Sequence, residues 1–173
     1  GHNISINVDT LGGNDSYTAA TLITLNGLTN GLISCTETHA LTGSAADLKT
    51  ILAANTAAAS VVAGTTQLTG LENNAVTVTG ATLNAVDLTT IDAATSGLVT
   101  HTATTLVGTQ DEISAVYAAD ANNVNTITGT ANQAITLTEA TVAAADVITV
   151  NGLTTGLVTS VATTVTGSVA DLT

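Results

Sequence analysis

The chain has 173 residues, and 13 acidic side chains against a single lysine give it a formal net charge of −12. This charge argues against nucleic acid or an anionic membrane as a partner, because no basic surface is available to replace the counterions of phosphate groups. Hydrophobic residues make up 45% of the chain, but Tyr17 and Tyr117 are its only aromatic residues. The core must therefore be built from Ala, Val, Leu and Ile, and a cleft that stacks sugars on aromatic rings is disfavoured.

The first segment combines an alternating stretch with a turn. Residues 4–8 alternate between apolar and polar side chains, which predicts a strand. Residues 9–15 read Asp-Thr-Leu-Gly-Gly-Asn-Asp, a composition typical of an ordinary turn. They also resemble one degraded copy of the Gly/Asp-rich calcium-binding repeat of type I-secreted proteins. That resemblance makes Asp9 and Asp15 candidate calcium ligands.

One phrase occurs three times, at residues 42–48, 107–113 and 166–172. In each copy Gly is followed by Ser or Thr, an acid stands three residues later, and an aliphatic residue comes next. This spacing is a capping box, in which the hydroxyl and the acid each bond a backbone N–H of the first helical turn. The apolar residues that follow the first two copies predict short amphipathic helices. The predicted N-caps and their acids are Ser44 with Asp47, Thr109 with Glu112, and Ser168 with Asp171.

Two further phrases accompany each capping box in a constant order. They are Ala-Thr-Leu/Val at residues 20–22, 81–83 and 140–142, and Gly-Leu-Ile/Val-Ser/Thr at residues 31–34, 97–100 and 156–159. A constant order of phrases predicts an internal repeat of about 60 residues, built from two halves of about 30 residues. The repeats are placed at 18–78, 79–137 and a partial 138–173, within a single domain of residues 1–173. Extra length is expected around residues 65–74.

The predicted fold class is an α/β repeat, a solenoid of about 30-residue coils that carry short parallel strands and short capped helices. Strands are predicted at 75–79, 98–102, 105–107, 125–128 and 134–138, and helix at 81–94 and 109–119. Helices are expected to start near residues 18, 44, 82, 109, 139 and 168. A string of tandem small α+β modules is the alternative architecture.

The residues that most often carry chemistry are sparse. His2, His39 and His101 have no second His or Cys at a spacing typical of metal ligands, so they are expected to be solvated or to lie at edges. The lone Cys35 cannot form an intrachain disulfide and is expected to be a buried small residue. The chain has no nucleophile elbow, phosphate loop or dinucleotide fingerprint. The sequence therefore predicts that the protein is not an enzyme and needs no cofactor.

Calcium is the only ligand that the acids suggest. Asp87 and Asp146 recur at equivalent positions of two repeats, where the first repeat has Asn26. They could be capping or turn residues, or they could bind a cation at a stacked edge, so both are candidate calcium ligands beside Asp9 and Asp15. Thr-x-Thr pairs favour strands. Ladders of threonine also occur in ice-binding proteins, which makes ice binding a remote alternative.

The capping phrase and its Ala/Thr/Val/Gly-rich surroundings resemble repeat arrays of very large bacterial secreted proteins, including cyanobacterial and RTX-type adhesin-like or S-layer-like surface proteins. The resemblance implies a secreted or cell-surface structural protein that serves as a spacer, filament or self-assembling unit. Its expected partners are copies of itself or neighbouring repeats. No apolar run is long enough for membrane insertion. Gly1-His2 looks like a processing remnant, and the last phrase reaches the final residues, so the chain is expected to be a piece of something longer. The alternative function is a module that binds a surface, a glycan or calcium.

Overall fold

The structure, a computed structural model, describes residues 4–8, 16–35, 39–55, 67–121 and 126–172. Its helices are α1 (Ala19–Leu28), α2 (Ala45–Ala54), α3 (Ala85–Asp92), α4 (Gln110–Ala121), α5 (Ala144–Asn151) and α6 (Val169–Leu172). Its strands are β1 (Ile6–Asn7), β2 (Tyr17–Thr18), β3 (Leu32–Ser34), β4 (Leu41–Ser44), β5 (Gln67–Thr69), β6 (Val76–Thr79), β7 (Thr82–Asn84), β8 (Val99–His101), β9 (Thr105–Gly108), β10 (Ile127–Thr128), β11 (Ala134–Leu137), β12 (Thr141–Ala143), β13 (Val158–Ser160) and β14 (Thr164–Thr166). The chain is thus an α/β protein of short elements.

All pairings between these strands are parallel, and each pairing joins a strand to the next but one along the chain. The pairings give four sheets, in the orders β1-β3-β5, β10-β8-β6-β4-β2, β13-β11-β9-β7 and β12-β14. Parallel neighbours need a crossover between them, and short helices supply it in most cases. The prediction of an α/β fold with short parallel strands is confirmed.

The helices form a row beside the strands, because each helix packs against the helix before it and the helix after it. The strand that leads into a helix changes sheet after every second helix. The strands that precede α1 and α2 are β2 and β4, and both lie in the five-stranded sheet. Those that precede α3 and α4 are β7 and β9, in the four-stranded sheet. Those that precede α5 and α6 are β12 and β14, which form the two-stranded sheet. The row of helices therefore steps from one sheet to the next after every two helices.

Aliphatic side chains fill the space between the strands and the helices. Leu41, Val76, Val99 and Ile127 lie opposite one another across the five-stranded sheet, and each is at most 1% exposed. Leu48, Ile51 and Leu52 of α2 are buried on the helix side, at the spacing that the sequence predicts. The core is thin and aliphatic, as the composition requires.

A buried threonine and a glycine fasten neighbouring chain segments at three equivalent places. The Thr95 hydroxyl donates to the carbonyl oxygen of Asn74 at 2.8 Å and accepts from the N–H of Gly97 at 3.0 Å. A Cβ on Gly97 would overlap the backbone of Asn74, so only glycine allows this approach. Thr29 with Gly31 makes the same arrangement on Ile4, and Thr154 with Gly156 makes it on Gln133. We call these three sites the Thr-x-Gly staples.

The glycine of each capping phrase marks a second close approach. A Cβ on Gly108 would lie 3.2 Å from the Ala85 Cβ, and one on Gly167 would lie 3.1 Å from the Ala144 Cβ. Gly43 has the same relation to Ala19. The three alanines are the first residues of α1, α3 and α5. Small residues therefore let the strand before one helix pass over the start of the preceding helix.

The predictions of local structure are partly correct. The strands at 75–79, 98–102, 105–107, 125–128 and 134–138 are confirmed to within about two residues. The predicted helix at 81–94 is wrong at its start, because Thr82–Asn84 pairs with β9 as strand β7 and the helix begins only at Ala85. In the same way α5 begins at Ala144, after strand β12, rather than near 139.

The three copies of the Ala-Thr-Leu/Val phrase do not occupy equivalent positions in the structure. Residues 20–22 lie inside α1, whereas their counterparts at 82–83 and 141–142 lie in strands. The structurally equivalent residues are Ala19, Ala85 and Ala144. Part of the supposed extra length, Gln67–Thr69, is strand β5 and pairs with β3.

Candidate functional site

Two of the three capping boxes form as the sequence predicts, and the first forms in part. In the second box the N–H of Thr109 donates to the Glu112 carboxylate at 2.8 Å, and the N–H of Glu112 donates to the Thr109 hydroxyl at 3.3 Å. The third box has both bonds, at 3.1 and 3.4 Å. In the first box the N–H of Asp47 donates to the Ser44 hydroxyl at 3.1 Å, and that hydroxyl donates to the Asp47 carboxylate at 2.8 Å.

These bonds account for the recurring acids. Each carboxylate lies at the positive end of a helix dipole and accepts hydrogen bonds from its own cap. In the third box, bonds from the side chain and the backbone of Ser168 lower the pKa of Asp171. The recurrence of Asp47, Glu112 and Asp171 is thus explained by helix capping.

The four calcium candidates fare differently. Asp9 and Asp15 lie outside the described residues. Asp87 is in the first turn of α3 and forms an ion pair with Lys49 of α2, which ties those helices together. Asp146 is half-buried in the first turn of α5. Because α4 lies between α3 and α5 in the row of helices, the structure does not bring Asp87 and Asp146 together.

Among the residues that the structure describes, no group of three or more His, Cys, Asp or Glu side chains is placed to hold a metal ion. Within the same residues, no helix has the length and apolar character needed to span a bilayer.

Cys35 is fully buried, as predicted. The prediction for His39 is wrong, because this side chain is only 8% exposed. Its ring meets the Tyr17 ring edge-on, with ring centroids 4.7 Å apart and planes at 65°. This edge-on contact helps to bury the His39 ring. Sequence patterns do not reveal it, because Tyr17 and His39 are far apart in the sequence. His2 lies outside the described residues.

His101 is half-buried on β8, and no hydrogen-bond partner for its two ring nitrogens is found in the part of the chain that the structure describes. Burial lowers the pKa of His101, and the charge of Asp120 raises it part of the way back. Tyr117, three residues before Asp120 on α4, is also buried, and burial raises the pKa of its phenol. Both groups are therefore held in their neutral forms.

A shallow cavity of about 330 Å³ opens beside these residues. Its lining includes Tyr117, Asp120 and Thr130. The Asp120 carboxylate accepts hydrogen bonds from the N–H and the hydroxyl of Thr130, so its lone pairs are engaged in holding α4 to the segment after β10. The arrangement stabilises a turn and presents no activated nucleophile.

A row of threonines crosses the five-stranded sheet. The strand register places five of them opposite one another on consecutive strands: Thr18, Thr42, Thr77, Thr100 and Thr128. The hydroxyls of Thr77 and Thr100 lie 2.9 Å apart within hydrogen-bond distance. We call this row the threonine ladder. The row is regular although the Thr-x-Thr pairs in the sequence are scattered. It arises from the register between strands, which the pairs do not reveal.

Sequence reasoning also missed the Thr-x-Gly staples. Their signal was present, since Thr stands two residues before each glycine of the Gly-Leu phrase, at 29, 95 and 154. A threonine in a Thr-rich chain does not stand out by composition.

Comparison with known proteins finds no matching family model, no matching curated protein and no matching solved structure.

Proposed function

We propose that the chain is a non-catalytic structural repeat segment of a secreted or cell-surface protein, arranged as a solenoid. Each coil carries strands and one helix, and its apolar face is covered by the coils before and after it. One observation carries the proposal: every pairing among the described strands is parallel and joins a strand to the next but one, so the same contact is used again along the chain. Such a segment serves as a spacer or as a unit that adds to further copies.

The recurring contacts support a mechanical role. Each Thr-x-Gly staple joins a strand to the preceding coil through a buried hydroxyl, and buried hydrogen bonds are costly to leave unmade. The Lys49–Asp87 ion pair joins α2 to α3, and the backbone N–H of Gln110 on α4 donates to the Glu139 carboxylate of the next coil. These bonds run along the array, which is the direction in which a spacer is pulled.

A truncation tests the solenoid. Removing residues 138–173 leaves the predicted repeat 79–137 whole and takes away β13, which covers Ile135 of β11. In a solenoid the remaining chain should melt at a lower temperature, because the coil that carried the covering strand is lost. Tandem modules would keep their melting temperature, which would contradict the proposal. Imaging of the native material should in addition show longitudinal contacts between copies.

The threonine ladder supports a second candidate, a module that binds a crystalline surface such as ice or an ordered polysaccharide. Neighbouring parallel strands hold their side chains at a regular spacing of about 4.8 Å, and a regular lattice can match such a row. Replacing Thr100 by Lys in the middle of the ladder should abolish adsorption to the crystalline material. Thr50→Lys, on the exposed side of α2, is the matched control and should leave adsorption intact.

Calcium binding belongs to this second candidate. A ligand that binds only the native state raises its melting temperature. Melting the protein with millimolar calcium and with a chelator should shift the midpoint if Asp87 and Asp146 bind the ion. Because Asp87 is already paired with Lys49, Lys49→Ala should strengthen any such shift, and an unchanged midpoint in both chains would remove calcium from consideration.

A further inference from the structure

The C-terminal face of the molecule, formed by β13, β14 and α6, exposes an apolar side chain whose counterparts are buried elsewhere. Val165 of β14 stands two residues before the glycine of its capping phrase, as Leu41 and Leu106 do in theirs. Leu41 and Leu106 are fully buried, whereas Val165 is 53% exposed. Three more apolar residues on or beside these elements are exposed by more than half: Leu157, Val161 and Val169. Several exposed apolar residues near one end of the molecule indicate an interaction surface.

The two inner copies show what covers this position. Leu41 lies opposite Val76 of β6, and Leu106 lies opposite Ile135 of β11. On their other sides, β6 and β11 pair with β8 and β13, the strands that follow the Thr-x-Gly staples. The covering strand therefore always lies between a capping-phrase strand and a staple strand.

β1 is a strand of this covering type. It pairs with the staple strand β3, with Ile6 opposite Ile33, just as Val76 lies opposite Val99 and Ile135 opposite Val158. Among the strands that the structure describes, β1 lies at the edge of its sheet. Edge strands carry a row of backbone groups that readily pair with another chain.

The N-terminal end also offers a place for a helix. Leu25 of α1 corresponds to Ile91 of α3 and Val150 of α5, counting from the first alanine of each helix. Ile91 and Val150 are fully buried, but Leu25 is half-buried and lines an open cavity of about 320 Å³ together with Tyr17 and Leu22. In the interior, α2 packs against α3.

We propose that the C-terminal face of one copy binds the N-terminal end of a second copy head to tail, with β1 of the second copy added in parallel to β14. The register of the inner copies then places Ile6 opposite Val165, and α6 packs beside α1. The inference rests on the proposed function and specifies the polarity and register of the contact. Because the two surfaces are different, the contact does not close on itself and produces open filaments.

A disulfide trap tests the register. Ile6 opposite Val165 places Asn7 opposite Thr166, and neighbouring strands are about 4.8 Å apart, within the Cα separation of about 4.4–6.8 Å that a disulfide bridges. In a Cys35→Ala background, an oxidised mixture of the Asn7→Cys and Thr166→Cys chains should give a covalent dimer, and neither chain alone should. The matched control is Asn7→Cys with Thr164→Cys, which is two positions out of register and should not cross-link.

Sedimentation of the chain without added cysteines supplies an independent readout. The average mass should rise with protein concentration and with salt, since salt screens the repulsion between copies of charge −12. Val165→Lys should keep the chain monomeric. A circular dichroism spectrum equal to that of the parent chain shows that this variant is folded.

The outcomes separate the two proposals. If the truncation of residues 138–173 leaves the melting temperature unchanged, the proposed solenoid function is wrong. If the truncation lowers it but the chain stays monomeric, or assembles while the in-register and out-of-register cysteine pairs cross-link equally, only the head-to-tail contact is overturned. A dimer from the in-register pair alone, lost in Val165→Lys, supports it.

Discussion

The inner segment from β8 to α4 and the terminal segment from β13 to α6 are two copies of one sequence pattern in different surroundings. Both have the Gly-Leu phrase, a Thr-x-Gly staple and a complete capping box. In the inner copy Val99 and Leu106 are fully buried, but in the terminal copy Val158 is half-buried and Val165 is 53% exposed. The residues of each capping box are therefore enough to form the helix cap, while the burial of the apolar side chains depends on the chain segment that packs over them.

The largest difference in stability loss between the two copies should appear at the apolar residue two positions before the capping-phrase glycine. Leu106→Ala should lower the free energy of unfolding by about 2–5 kcal/mol, because it leaves a cavity in a fully buried site. Val165→Ala should cost less than about 0.5 kcal/mol, as is usual for exposed positions. Urea denaturation of both variants measures the two values, and equal losses would show that the terminal coil is covered in solution.

The glycines of the staples should show the next largest effect. Gly97→Ala forces a Cβ into the backbone of Asn74 and should cost about 1–3 kcal/mol, the usual range for overpacking. Gly156→Ala makes the same overlap with Gln133 but should cost less, since the terminal coil can move outward.

Gly27 in α1 is the control for these variants, because no atom lies within 4 Å of a Cβ built there. Gly27→Ala should raise stability by about 0.5–1 kcal/mol through helix propensity. A similar loss at all three glycines would argue against a specific close approach at the staples.

Variants of the capping boxes should show a smaller difference in stability loss between the inner and the terminal copy. Thr109→Ala removes the cap of the 12-residue helix α4 and should cost about 0.5–2 kcal/mol, whereas Thr109→Ser keeps the hydroxyl and should cost little. Ser168→Ala affects only α6 at the exposed end, so thermal melting should register almost no change. A strong effect of Ser168→Ala would mean that α6 packs against a further chain segment besides α5.

The smallest predicted effect concerns pH and His101. Burial lowers the pKa of His101 in the folded chain, with Asp120 partly opposing it, so the unfolded chain binds the proton more readily. Stability is then fully present above the ordinary histidine pKa of about 6.5 and falls as the pH drops below that value. Ser160 occupies the equivalent position in the terminal copy, which makes His101→Ser the natural replacement. Melting temperatures from pH 7.5 to 5 should fall less steeply in His101→Ser than in the parent chain, and parallel slopes would refute the assignment.

The capping boxes could be predicted from sequence because all of their atoms belong to four consecutive residues. The chemistry of Thr109 and Glu112 is complete within one helical turn, and no distant partner changes it. The burial of Cys35 followed in the same way from its apolar neighbours.

The remaining features depend on partners that the local sequence does not name. Residues 82–84 become a strand because β9 lies beside them, although the apolar spacing around them is compatible with a helix. His39 is buried because Tyr17 is next to it in space. The threonine ladder requires the register of five strands, and that register depends on connecting segments of unequal length.

The step of the helix row between sheets has a consequence for any long array of these repeats. Packed helices need about 8–10 Å each, whereas neighbouring parallel strands need only about 4.8 Å, so the helix row is the longer side and the array bends with its helices outward. Because the helix row also steps from one sheet to the next after every second helix, the bend would not stay in a plane. Many such repeats in series would trace a spiral.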